Sequence, residues 1–99
     1  MSDYAFTPEA AEDLFEIWRN IATANIQAAD RLEVRVKKAC QFLAEGPLHG
    51  HLREDLTKRP VRFWALPRYR NYIIVYEPSA KPLLVIRILH GARNVSAIL

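Results

Sequence analysis

The stretch Leu83-Leu84-Val85-Ile86-Arg87-Ile88-Leu89 decides how this chain folds. Apolar, rich in β-branched residues and preceded by Pro82, it reads as a strand. Strict alternation puts Leu84, Ile86 and Ile88 on one face, assigned to a core beneath helices, and Val85, Arg87 and Leu89 on the other. A guanidinium in such company is costly to bury unpaired. The second face is therefore expected either to lie open as a binding surface, or to hold an acid, with Glu77 on the neighbouring strand as the candidate.

Two further strands precede it, Val61 to Leu66 and Tyr72 to Glu77, and the joining segments 67–71 and 78–82 suit antiparallel hairpins. Upstream the period changes from two to 3.6. Thr7-Pro8 marks a helix start, with threonine as N-cap and proline at the first helical position. Ala11, Leu14, Trp18 and Ile21 follow at helical spacing. A turn around Thr23 and Asn25 leads to a second helix from Gln27 to Glu45, with Ala29, Leu32, Val36, Ala39 and Leu43 on its apolar face, closed by Gly46-Pro47. Tyr4-Ala5-Phe6 can add an edge strand. The pattern is a single α+β domain over 1–99: an N-terminal strand, a two-helix antiparallel hairpin, and a three-stranded antiparallel meander. Residues 48–61 form a long loop, a length that often carries function.

The chain has 99 residues and one cysteine, Cys40, so two cores and an internal disulfide are both excluded. No basic n-region with an apolar run opens it and no stretch is long enough to span a membrane, so a soluble cytoplasmic protein without membrane contact is expected. The net charge is +3. Acids dominate before Arg19 and bases after Asp55, a polarity that steers association with a partner of opposite sign, and the arginine excess favours an acidic or phosphorylated partner surface. Arg31, Arg35 and Lys38 make a basic stripe on the second helix, either a solvated face or a contact for such a partner.

Four pieces of the chain, Ala10 to Trp18 (AAEDLFEIW), Leu43-Ala44-Glu45-Gly46-Pro47, Asn71 to Tyr76 (NYIIVY) and Ile88 to Asn94 (ILHGARN), taken in order, resemble the ParE-type toxins of the RelE/ParE toxin–antitoxin superfamily. The resemblance implies a ParD-like antitoxin partner, an oligomer formed with it, and inhibition of DNA gyrase by binding. The superfamily's other branch, the RelE-like ribosome-dependent mRNA endoribonucleases, is the alternative. Arg62, Arg87 and Arg93 could clamp a phosphate and Lys58 or His90 serve as acid or base. Yet the chain lacks the tyrosine that RelE-like members place near the C-terminus, and its loop before the second strand carries only Lys58 and Arg59. The resemblance thus implies binding without catalytic residues, metal or cofactor.

Arg87, His90 and Arg93 are the expected target-binding residues, and Trp64, Tyr72, Tyr76 and Leu89 the expected antitoxin-binding residues, on the open side or edge of the sheet. Phe63 is assigned to the core under the helices. The pair His49 and His51, with His90 or Cys40, is a weak metal pattern. Cys40 near the helical core reads as an inert thiol. Asp13 and Glu16, or Glu12 and Glu16, fall at helical spacing on an expected solvated face, with little sign of the desolvation that acid–base work needs.

Overall fold

The computed structural model describes residues 3–91 and 98–99. Strand β1 (Tyr4–Phe6) leads into helices α1 (Pro8–Ala22) and α2 (Ile26–Glu45), followed by β2 (Arg62–Leu66), β3 (Tyr69–Glu77) and β4 (Leu83–His90). The α+β architecture is as expected, but the sheet is mixed: its order is β1-β4-β3-β2, with β1 parallel to β4 and the rest antiparallel.

The helices begin where the caps dictate. Thr7 Oγ1 accepts from Ala10 N at 3.1 Å, and Asn25 Oδ1 from Ala28 N at 3.0 Å. Ala29, Leu32, Val36, Ala39 and Leu43 are all buried on α2, with Cys40 among them. On α1 the buried positions are Ala10, Leu14 and Ile17. Ala11 is exposed, and Trp18 stays half-buried, donating its Nε1 to Asp30 Oδ1 on α2 at 2.8 Å. The stripe is rotated from the expected one because α1 packs on β4 as well as on α2.

The strand phases differ from strict alternation. Opposite β4, Val75 pairs with Arg87 and Tyr76 with Val85, so Ile86 is an extra residue in the ladder. The bulge shifts every later side chain by one step. Leu83, Val85 and Ile88 face the helices, while Ile86 and Leu89 turn to the opposite side. On β2, Trp64 and Leu66 pack on the helix side and Phe63 on the other, the reverse of the expected assignment of Phe63. Both faces of these strands are apolar, so hydrophobicity did not define their phase.

That second face is not open. Val61, Phe63, Val75, Ile86 and Leu89 form a smaller core of their own, covered by Leu56, Ile73, Leu84, Ile98 and Leu99. The long loop is fastened over the molecule by β3. Tyr76 Oη donates to Pro47 O at 2.6 Å and accepts from Gly50 N at 2.8 Å. A Cβ at Gly50 would run into the Tyr76 ring, so glycine is required there by close approach. His51 pairs with Phe63 through both backbone groups, at 2.8 Å each, and covers part of the outer edge of β2.

Candidate protein-interaction surface

Arg87 is engaged. Its Nε and Nη2 donate to Asp13 Oδ2 and Oδ1 at 2.7 and 2.9 Å, a two-pronged ion pair with α1. The Asp13 hydrogen bond, together with the charges of Asp13, Glu9 and Glu12, pushes the guanidinium above its usual range against the opposing effect of burial. Asp13 also accepts from Ile88 N at 3.0 Å. The geometry explains why. The short β1 covers β4 only as far as Val85, where Thr7 N donates to Val85 O at 3.0 Å. Thr7 Oγ1 then donates to Ile86 O at 3.0 Å, and the Asp13 carboxylate takes Ile88 N. Cap residue and carboxylate continue the edge pairing where the strand stops. Asp13 is therefore a structural acid and not part of a solvated face. The expected alternative partner, Glu77, lies instead 3.9 Å from Arg59.

Arg87 and His90, two of the expected target-binding residues, border one shallow depression with Asp13 and Glu16. Arg87 holds the sheet edge, His90 is exposed and stacked on Tyr72 with ring centroids 4.4 Å apart, and Arg93 lies outside the described residues. Of the four expected antitoxin contacts, Tyr76 is fully buried, with its hydroxyl pushed upward in pKa by that burial, and Leu89 is buried in the second core. Both are withdrawn as surface contacts, because the loop and residues Ile98 and Leu99 shield what was expected to be open. Trp64 and Tyr72 keep partial exposure, on the helix side of the sheet.

Trp64 belongs to a mainly apolar cleft. Between α2 and the β2–β3 turn, Ala39, Phe42, Trp64, Leu66 and Pro67 line a cleft of about 250 Å³ flanked by Arg35 and Lys38. The Phe42 ring, 44% exposed, stacks on His49 at 4.5 Å and leans on Trp64 at 5.5 Å. The indole Nε1 of Trp64 is buried with no hydrogen-bond partner among the described residues. Beside it, Arg31, Val34, Arg35, Lys38, Arg68 and Tyr69 border an adjoining depression. The basic stripe noted in the sequence thus reaches the cleft, whereas the cleft itself, Phe42 in its wall and the arrival of Arg68 from the turn were not visible there.

Among the described residues, other candidate groups are engaged in the fold. Arg62 Nη1 donates to Gly50 O at 2.8 Å, tying down the loop. Cys40 is buried among apolar side chains, which pushes its thiol up to about 12 and leaves it without nucleophilic character near neutrality. His49 lies against Gly46 O at 2.9 Å, and among the described residues no group of three or more His, Cys, Asp or Glu is placed to hold a metal ion. No helix of the described residues is long and apolar enough to cross a membrane.

Comparison with known proteins accords with this arrangement. The chain's fold is similar to a solved structure from P. aeruginosa described as a chromosomal ParDE TA system, with a TM-score of 0.73 at 20% identity, covering 90% of this chain and 95% of that one. No curated protein matches in sequence. Residues 4–95 match the family described as the ParE toxin of the type II toxin–antitoxin system, parDE. With nearly its whole length so matched, the chain belongs to the ParE toxin family.

Proposed function

We propose that this chain acts by binding DNA gyrase in the cytoplasm and is neutralised by a ParD-like antitoxin. Family membership supplies the class, and the state of the arginines favours binding over RNA cleavage. A phosphate clamp needs free guanidinium groups. Arg87 is held two-pronged by Asp13 and Arg62 Nη1 is engaged by the Gly50 carbonyl, so two of the three candidate clamps have roles in the fold. The stacked pair His90–Tyr72, with Arg93, is the proposed target contact, and Trp64 with its cleft is the proposed antitoxin contact.

The test is a supercoiling assay with purified gyrase, run beside a translating extract scored for mRNA cuts. Lost supercoiling with intact mRNA is the expected result. Site-specific mRNA cleavage with unaffected gyrase would overturn the proposal in favour of the ribonuclease branch.

A further inference from the structure

The cleft between α2 and the β2–β3 turn has features that specify its occupant. We infer that it receives an acidic segment of a protein partner, carrying a bulky apolar side chain into the cleft and carboxylates onto Arg31, Arg35, Lys38 and Arg68. This deepens the partner-binding reading of Trp64 and rests on it.

Charge is the first argument. None of these four cations forms an ion pair among the described residues; Lys58, Arg62, Arg70 and Lys81 share that state elsewhere, and what distinguishes the four is that they gather around one apolar hollow. Among the described residues the acid bordering the depression is Asp30, which already accepts from Trp18. Unpaired cations around an apolar hollow complement an amphipathic acidic chain. Size is the second. A volume of about 250 Å³ falls below the range of small-molecule pockets and suits one or two side chains. Nucleic acid fits less well, because base stacking needs free ring faces. Here Phe42 is stacked on His49 and leans on Trp64.

Arg68 adds an independent observation. It stands at φ 69°, in the left-handed region, directly after Pro67 in the two-residue turn between Leu66 and Tyr69. With proline first and a positive φ second, the turn follows the type II pattern, which favours glycine or asparagine at that place. An arginine there gives up backbone comfort, and its side chain borders the depression.

That strain makes the test clean. A fluorescein-labelled synthetic peptide of alternating glutamate and leucine is titrated into the full chain by anisotropy, with a lysine–leucine peptide and a single-stranded RNA of similar length as controls. Saturable binding of the acidic peptide, weakening steeply with added salt, is expected. Arg68→Gly is expected to hold or raise Tm while cutting affinity roughly fivefold, and Lys38→Glu to cut it roughly tenfold. Equal binding of both peptides, stronger binding of the RNA, or unchanged affinity in both variants would overturn the inference. So would concentration-dependent self-association abolished by Lys38→Glu, which would assign the cleft to a second copy. If the peptide fails to bind while a ParD-like chain still rescues growth, the cleft is wrong and the antitoxin reading survives; if the peptide binds and no such chain rescues, the reverse holds.

Discussion

Replacing Asp13 with alanine removes the acceptor that closes the edge of β4. Three hydrogen bonds are lost, two from Arg87 and one from Ile88 N, at 2.7, 2.9 and 3.0 Å. Breaking a fully buried pair by deleting one partner costs about 3–5 kcal/mol. The Arg87 and Asp13 side chains are 26% and 17% exposed, so water recovers part of that. A loss of about 2–3 kcal/mol remains, which for a domain of this size lowers Tm by roughly 15 °C. Arg87→Met is expected to cost less, because Asp13 keeps its bond to Ile88 N and methionine retains the packing of the arginine stem. Urea melts of Asp13→Ala, Arg87→Met and the double variant give the coupling energy, expected at about 1–2 kcal/mol. If Asp13→Ala costs less than about 0.5 kcal/mol and the coupling vanishes, the pair behaves as an ordinary surface salt bridge. The edge-closing argument then falls.

Four other outcomes are expected. Tyr76→Phe strands Gly50 N and Pro47 O, costing about 2 kcal/mol, and limited proteolysis should show earlier cutting within 46–61. Trp64→Phe sacrifices no hydrogen bond and removes a stranded donor, so chemical melts should show a change under about 1 kcal/mol. His90→Ala and Arg93→Ala should each weaken growth arrest at equal expression with circular dichroism unchanged; full toxicity in both would refute the target contact. Stability should fall as pH rises from about 9, because the unfolded thiol of Cys40 loses its proton there while the folded one keeps it until about 12. The partly buried hydroxyl of Tyr72 and the buried one of Tyr76, both raised by desolvation, act in the same sense above pH 10, and Cys40→Ala should remove the earliest part of the decline in urea melts at pH 8 and 10.

The helical half of the fold was legible because its signals are local. Thr7-Pro8, Asn25 and Gly46-Pro47 mark helix ends whatever packs against them, and α2 shows its buried face at unbroken spacing. The strands were legible in place but not in phase. Nothing in Val85-Ile86-Arg87 announces a bulge, and two apolar faces give no preference between registers. The loop hid its covering role for a related reason: Leu48 and Leu52 remain 71% and 51% exposed, and of its leucines Leu56 reaches the second core. Arg87 did announce that it needed an acid. Its partner lies 74 positions away on a helix, where periodicity alone reads it as solvated. At the interaction surface, the basic stripe on α2 was visible in the sequence, whereas the cleft beside it exists only once α2 meets the β2–β3 turn.

The parallel pairing of β1 with β4 sets an order of events during synthesis. Tyr4 lies beside Leu83, and the Thr7 hydroxyl reaches Ile86 across 79 positions. While the ribosome has yet to deliver that strand, α1 and α2 can coil locally but have nothing to fasten them, and closing so long a loop is slow beside local contacts. The nascent chain therefore passes through an interval in which its first segment is made yet unanchored, and its maturation is timed by the arrival of β4.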